Sequence, residues 1–314
     1  MGFDQLLGND RLKQNLTQAA NKHRFSHFYM ICGPVGSGKH TLAKLLSAAM
    51  MCTESQQPCL RCNACRKVMA GTHPDITYVQ EPEKKTTPVD LIRDARADMY
   101  VQPNEGNRKI YIFPQELGVP GQNALLKVLE EPPSYGVFIL LTDNPEKILT
   151  TVRSRSTQLK LESLPRQVLL PALQSRFPEE SQASLEAALE GSGGYLGQAI
   201  ALLEQPEDTP QTQAFVKSYL DRDAVALLQV LVPMEKWKRD QLLPVLQQWA
   251  TLFGQALLCR SGKAVTNETA RQLGAARSPA ELLQGYQHLQ KAIEHAQGNV
   301  SCAAICGYLE WALR

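Results

Sequence analysis

The residues that could do chemistry begin with a glycine-rich loop at 33–39, Gly-Pro-Val-Gly-Ser-Gly-Lys. This loop lies between an apolar run and a helical pattern, and it matches the G-x-x-x-x-G-K phosphate-binding motif. Glycines let backbone N–H groups face a phosphate, and the lysine reaches its outer oxygens. An ordinary glycine-rich turn is the alternative. The residues expected to line a bound phosphate are Gly33, Pro34, Gly36, Ser37, Gly38, Lys39, His40 and Thr41.

The metal-binding half of such a site is incomplete. The residue after the lysine is normally Ser or Thr, whose hydroxyl ligates Mg²⁺, but here it is His40. Thr41 follows one residue late and points about 100° away around the helix. The strand expected at 110–113 continues into Pro114-Gln115-Glu116, where hydrolysing P-loop proteins carry an acidic metal-side residue. The pattern predicts nucleotide binding without efficient hydrolysis.

Four of the eight cysteines lie close together, and they are Cys52, Cys59, Cys62 and Cys65. In a reduced, intracellular chain such a cluster indicates a metal rather than disulfides. Four thiolate sulfurs, each ~2.3 Å from the metal, are typical ligands of a structural Zn²⁺ ion. An iron–sulfur cluster and free buried thiols are the alternatives, although the run continues with Arg66-Lys67 rather than the Cys-Pro of bacterial ferredoxins.

An α/β domain is expected to position these groups. Apolar runs predict strands at 27–32, 75–79, 109–113, 137–141 and 157–161, and helical patterns lie at 9–22, 39–51, 88–100 and 121–131. Continuous apolar strands separated by helices predict a parallel sheet covered on both faces. Only helical patterns follow Pro165. We therefore expect an α/β domain at 1–164, a small helical domain at 165–208 and an all-helical domain at 209–314, with a polar linker at 205–212.

Composition limits the cellular context. The 314 residues include 33 basic and 31 acidic side chains, so any contact with DNA must come from a local patch. No run approaches the ~18 consecutive apolar residues of a membrane span. The first residues lack the basic and apolar stretches of a signal peptide. We expect a cytoplasmic protein with no membrane partner.

Several longer motifs together resemble the AAA+ subunits of bacterial DNA polymerase III clamp loaders. They are FDQLLGNDRLKQNL near the start, GPVGSGKHTLAKLL, the four-cysteine insertion, HPD at 73–75, EGNRKIYIF at 105–113, QNALLKVLEEPP at 122–133, LLTDNPEKILTTVRSRS at 140–156 and GYLGQA at 194–199. The resemblance is dense up to about residue 204, and beyond it only helical character and length agree. It implies an AAA+ P-loop core with a zinc module, a helical lid and an all-α collar.

The resemblance also implies roles for single residues. Ser154-Arg155-Ser156 matches the family's Ser-Arg-Cys motif, so Arg155 would act as an arginine finger on a neighbouring subunit's ATP. A solvated arginine is the alternative. Asn144 would be the nucleotide-sensing residue at the end of a core strand. Gln198 replaces a phosphate-contacting arginine of the ATPase subunits, which is a further departure from an active site.

The length and the eroded metal site favour the delta-prime type, with no independent ATPase activity and with ATP or ADP as the nucleotide of its loop. Such a subunit is part of the DNA polymerase III holoenzyme. It acts as a stator in a hetero-pentameric ring that opens a sliding clamp and places it on primer-template DNA. The alternatives are an active ATPase subunit of the same loader and a stand-alone AAA+ regulator in DNA repair.

Overall fold

A computed structural model of the chain describes residues 2–204, 209–262, 265, 267–298 and 300–313, apart from the side chain of Ala183. The chain divides into two compact units. Unit 1 comprises Met1–Ser175 and Ser192–Ile200, and unit 2 comprises Arg176–Gly191 and Ala201–Arg314. The three-domain division stays a prediction. Residues 205–208 of the expected linker lie outside the described residues.

Unit 1 is built on a parallel five-stranded sheet with the order β2-β4-β6-β1-β7. The strands are β1 (Phe28–Cys32), β2 (Ile76–Tyr78), β4 (Lys109–Phe113), β6 (Gly136–Thr142) and β7 (Thr157–Lys160), and a separate parallel pair joins β3 (Thr86–Thr87) to β5 (Glu116–Leu117). Every residue of β1, β4 and β6 is buried, as both faces of a covered parallel sheet require. Cys32 lies opposite Thr142, so β1 and β6 end side by side.

The helices of unit 1 cover this sheet with two apolar cores. They are α1 (Asp10–Asn21), α2 (Lys39–Met51), α3 (Asn63–Ala70), α4 (Val89–Asp98), α5 (Val119–Glu130), α6 (Thr150–Arg153) and α7 (Arg166–Arg176, whose last residue belongs to unit 2), with 3₁₀ turns at Gly2–Gln5 and Pro145–Lys147. One core joins side chains of β1 and α2, and the other joins β1 and β4 to α4 and α5.

The predicted parallel α/β sheet is confirmed, and two details of the helices differ from expectation. Helix α5 begins at Val119 rather than 121, because Pro120 in its first turn supplies a preset helical φ angle. Helices α3 and α6 were not predicted. Both are short, and α3 is capped by a cysteine side chain rather than by a typical capping residue.

Unit 2 contains helices joined by short loops, and no strand is found among its described residues. Its helices are α8 (Gln182–Gly191), α9 (Leu196–Leu203, shared with unit 1), α10 (Pro210–Asp221), α11 (Ala224–Met234), α12 (Arg239–Arg260), α13 (Glu268–Ala276), α14 (Pro279–Gln297) and α15 (Cys302–Ala312). Helix α12 is long and apolar enough to cross a membrane by length and composition. It packs against α13 and α14 as the core helix of this unit. Its Trp249 stacks on Phe215 at 3.7 Å between ring centroids.

Candidate functional site

The glycine-rich loop lies at the edge of the sheet where β1 and β6 end. The Gly33 N–H donates to the Thr142 carbonyl at 3.2 Å, which joins the start of the loop to the end of β6. The loop then turns at Gly36 and Gly38, whose φ angles of +78° and +95° favour glycine. Helix α2 starts next, and no side chain caps its first turn among the described residues. Its first N–H groups are therefore available to an anion.

Lys39 is buried and held by three acceptors. Its Nζ donates to the carbonyls of Gly33 at 2.6 Å and Pro34 at 2.9 Å, and to Asp143 Oδ1 at 2.5 Å. The Asp143 side chain is 51% exposed, whereas that of Lys39 is 9% exposed. Sequence reasoning missed Asp143. The available signal was an acidic residue directly after a core strand that ends beside the loop.

The start of α9 contacts the tip of the loop. The Gly197 N–H donates to the Gly36 carbonyl at 2.9 Å, and Gln198 Nε2 donates to the Val35 carbonyl at 3.0 Å. A Cβ atom on Gly197 would lie 2.6 Å from Gly36 Cα. Glycine at 197 is therefore needed for this close approach, and Gln198 is a neutral donor to the loop.

Gln115 and Glu116, on the side of the site where Mg²⁺ would be expected, form hydrogen bonds and an ion pair with other segments. Gln115 accepts a hydrogen bond from the Glu81 N–H at 3.0 Å and donates to the carbonyls of Glu81 at 2.7 Å and Lys84 at 2.6 Å. Glu116 Oε1 lies 2.6 Å from Lys147 Nζ. His40 and Thr41 are exposed at the start of α2. Gln115 thus anchors a loop at the position where a metal-binding acid would be expected.

Asn144 lies close to this edge, but its side chain bonds to the turn that directly follows it. Its Oδ1 accepts from the Glu146 N–H at 2.9 Å and caps the 3₁₀ turn at Pro145–Lys147. Its carbonyl accepts from the Thr142 hydroxyl at 3.0 Å. Among the described contacts, the side chain that reaches the loop from this segment is that of Asp143.

The four cysteines of the cluster are brought together at the junction of α2 and α3. Cys52 follows the last residue of α2, and the Cys62 side chain caps α3 by accepting from the Cys65 N–H at 3.4 Å. The N–H groups of Cys59 and Cys62 donate to the sulfurs of Cys52 at 3.4 Å and Cys59 at 3.3 Å. All four sulfur atoms lie within 4.8 Å of one another. Four sulfur atoms this close together could hold one metal ion.

The electrostatics of the cluster are consistent with a cation. Burial raises the pKa values of Cys52 and Cys65. Burial also acts on Cys59, but hydrogen bonds from the N–H groups of Arg61 and Cys62 outweigh it and lower the pKa of Cys59 to about 7. A bound cation would offset this effect of burial and favour the thiolate forms of Cys52 and Cys65. A tetrahedral Zn²⁺ ion fits this all-sulfur donor set.

Arg155 lies in the turn between α6 and β7. Its side chain is 36% exposed, and its guanidinium donates to the Thr151 carbonyl at 2.8 Å and to Glu130 Oε1 at 2.6 Å. The next residue, Ser156, closes the turn by donating from its hydroxyl to the Arg153 carbonyl at 2.7 Å. Glu130, the last residue of α5, is therefore the ion-pair partner of Arg155. None of the described contacts of Arg155 involves the loop at 33–39.

Comparison with known proteins identifies relatives in bacterial DNA replication. The family model described as DNA polymerase III, delta subunit, matches residues 8–165. The chain is 34% identical over 265 residues to the DNA polymerase III subunit delta' of Escherichia coli, covering 81% of this chain and 77% of that protein. It is 35% identical over 187 residues to the delta' subunit of Pseudomonas aeruginosa, covering 57% of this chain and 56% of that protein.

Two further similarities involve related subunits. The chain is 31% identical over 211 residues to the DNA polymerase III subunit tau of Bacillus subtilis, covering 65% of this chain and 37% of tau. The chain thus spans between about two fifths and just over half of the length of tau and of the Pseudomonas delta' subunit. Among solved structures, a DNA polymerase III gamma subunit-related protein from Thermotoga maritima aligns with a TM-score of 0.46 and 18% identity, covering 95% of this chain and 99% of that one.

Proposed function

Since this chain belongs to the DNA polymerase III delta-subunit family, we propose that it is a delta-prime-like subunit of a bacterial sliding-clamp loader. It assembles with AAA+ ATPase subunits in a hetero-pentameric ring in the cytoplasm. Its work there is that of a stator, which supports a neighbouring subunit while the ring opens a sliding clamp and places it on primer-template DNA.

The observation that carries this proposal is the contrast between the two halves of the nucleotide site. The cradle half is intact, with Lys39 at the end of the loop and, behind it, a helix whose first turn is capped by none of the described side chains. In the metal half, Gln115 anchors a loop and Glu116 is paired with Lys147. A subunit of this kind does not hydrolyse ATP efficiently by itself, so its contribution to hydrolysis is made across a subunit boundary.

Arg155 is the residue we assign to that contribution. It lies on the surface of unit 1 in the Ser154-Arg155-Ser156 segment, where its guanidinium is only partly covered. In the composite site it would place a positive charge beside the γ-phosphate of the neighbouring subunit's ATP as the bond to that phosphate breaks. Arginine fingers in other NTPases raise kcat by a factor of about 10³–10⁵. An arginine supplied in trans would therefore dominate this subunit's effect on ATPase activity.

The cysteine cluster has a structural role in this proposal. Cys52, Cys59, Cys62 and Cys65 would hold one Zn²⁺ ion with four sulfur ligands. Four protein ligands leave no position for water or substrate, which is typical of structural rather than catalytic zinc. The ion would tie the end of α2 to the start of α3.

The proposal is tested by reconstituting the loader with Arg155→Ala and measuring its ATPase rate with clamp and primed DNA. We expect the complex to assemble and the rate at the neighbouring site to fall a hundredfold or more, about 2.7 kcal/mol at 1.36 per tenfold change. Arg153→Ala is the matched control. Arg153 lies two residues earlier and pairs with Glu146 at 2.7 Å, so its removal should change the rate only severalfold.

Two results would contradict the proposal. If the complex assembles with Arg155→Ala and its ATPase rate equals that of wild type, Arg155 is not an arginine finger. If the wild-type chain fails to enter any complex with clamp-loader ATPase subunits, the chain acts outside the loader.

A further inference from the structure

The ammonium group of Lys39 has no hydrogen left for a phosphate in this structure. A lysine ammonium has three donors, and here the three described acceptors are the carbonyls of Gly33 and Pro34 and the carboxylate of Asp143. The Lys39 side chain is only 9% exposed, so water does not easily replace any of these partners. A phosphate can reach Nζ only if one of the three acceptors leaves. Asp143 is the one that belongs to a side chain rather than to the loop itself.

The topology of the sheet puts Asp143 in a place where ligands bind. Ligands of open parallel sheets bind beyond the carboxyl ends of the strands, and Asp143 directly follows β6 at its junction with the loop. Its carboxylate oxygen lies 2.5 Å from Lys39 Nζ and makes the charge-assisted contact that a phosphate oxygen would otherwise make. We infer that Asp143 is an internal counter-anion of the phosphate loop, so that a nucleoside triphosphate binds this chain only by displacing the Asp143 carboxylate.

Two further features of the loop bear on phosphate binding, namely its contact with α9 and the Ser37 hydroxyl. The carbonyls of Val35 and Gly36 accept hydrogen bonds from the start of α9 and so are held by that segment. The Ser37 hydroxyl is buried and has no hydrogen-bond partner among the described residues. It lies inside the loop, 2.6 Å from where a Cβ on Gly33 would be. The Asp143 carboxylate occupies the ammonium group of Lys39, and its negative charge would repel an anionic ligand.

This inference rests on the proposal that the loop at 33–39 is a phosphate cradle, and it is independent of the role of Arg155. It predicts that the nearly isosteric change Asp143→Asn strengthens ATP binding. The full-length chain would be titrated with ATP by calorimetry, once with Mg²⁺ and once with a chelator. We expect Asp143→Asn to lower the Kd at least tenfold, which is about 1.4 kcal/mol. The gain should persist with the chelator, because His40 replaces the residue that normally ligates Mg²⁺.

Two further variants make the result specific. Glu146→Gln removes the same charge three residues later, from a carboxylate that pairs with Arg153 rather than with Lys39, and it should bind ATP as wild type does. The double variant Lys39→Ala with Asp143→Asn should not show the higher affinity for ATP. Thermal unfolding checks that each variant is folded, and Asp143→Ser replaces Asp143→Asn if the latter does not fold.

The possible failures are distinguishable. If wild type and Asp143→Asn bind ATP with equal Kd and Lys39→Ala abolishes binding in both, the loop is a phosphate cradle but Asp143 does not control it. If no folded variant binds ATP, the loop is not a nucleotide site and the inference fails with it. Neither result bears on the Arg155 experiment in the reconstituted loader, whose readout is the neighbour's ATPase rate.

Discussion

Arg155 and Glu130 form an ion pair between the turn after α6 and the end of α5, with Arg155 Nη2 lying 2.6 Å from Glu130 Oε1. A second hydrogen bond, to the Thr151 carbonyl, fixes the other arm of the guanidinium. The proposed finger is thus held against its own subunit. Both side chains are partly exposed, at 36% and 51%, so water and salt weaken the pair. A neighbour's phosphate can compete for Arg155 at modest cost.

We therefore expect Glu130→Gln to have a small effect. An exposed ion pair contributes about 0–1 kcal/mol, so the loader's ATPase rate should change by less than about fivefold. Arg155→Ala should cost far more in the same assay. Glu131→Gln is the control at the neighbouring exposed position. A loss with Glu130→Gln as large as that with Arg155→Ala would mean that Glu130 positions the arginine for catalysis.

Replacing one cysteine of the cluster should remove the zinc. We expect about one Zn²⁺ per wild-type chain by mass spectrometry and nearly none with Cys62→Ser, because structural zinc needs its four ligands. The thermal midpoint should fall, by roughly 2 to 4 °C for each kcal/mol lost. Cys302→Ser, at the start of α15 and outside the cluster, should keep its zinc. Iron and sulfide in the wild-type chain would instead indicate an iron–sulfur cluster.

Gln122 is a buried polar side chain that connects two loops. Its Nε2 donates to the carbonyls of Leu117 at 2.7 Å and Lys147 at 3.2 Å, and its Oε1 accepts from the Leu149 N–H at 2.7 Å. Gln122→Leu leaves these backbone groups without partners, which should cost about 2–4 kcal/mol. Urea unfolding measures the loss, and faster hydrogen exchange at the Leu149 N–H would locate it.

The exposed neighbour Asn123 gives the control for this change, since Asn123→Ala should alter stability by less than about 0.5 kcal/mol. If Gln122→Leu unfolds at the wild-type urea concentration, water replaces the side chain and the hydrogen bonds of Gln122 do not stabilise the unit.

Because of Asp75, the free energy of unfolding should depend on pH in the acid range, below about pH 4. Its carboxylate accepts hydrogen bonds from the N–H groups of Asn104, Glu105 and Gly106. Burial opposes ionisation, but these bonds outweigh it and lower the pKa of Asp75. A lowered folded-state pKa gives stability that is complete above the unfolded value of about 3.9 and is lost as pH falls through the folded value.

Asp75→Asn should therefore be less stable than wild type at pH 7, because an amide cannot accept all of these bonds. The difference should narrow as pH falls below about 4. Thermal unfolding of both proteins across this range is the measurement, with the exposed Asp94→Asn as control. A difference that stays constant down to pH 2 would show that the charge of Asp75 does not stabilise the fold.

The elements that carry the chemistry were predictable because their signals are local. The phosphate loop and its lysine lie within seven consecutive residues, and the four cysteines lie within one short segment. The buried strands β1, β4 and β6 are apolar runs apart from Lys109 and Thr142 at two of their ends, so their type follows from composition and length. Short helices such as α6 carry too few residues for a period to be recognised.

The tertiary structure decided which partners these side chains contact. Lys39 and Asp143 are 104 residues apart, Gln198 and Val35 are 163 apart, and Arg155 and Glu130 are 25 apart. The first pair exists because β6 is placed beside β1 in the sheet. Strand order depends on how whole layers pack, which no local pattern specifies. The sequence by itself determined which groups can bind phosphate, metal or a neighbour's nucleotide, and the packing decided which partner each group holds in this structure.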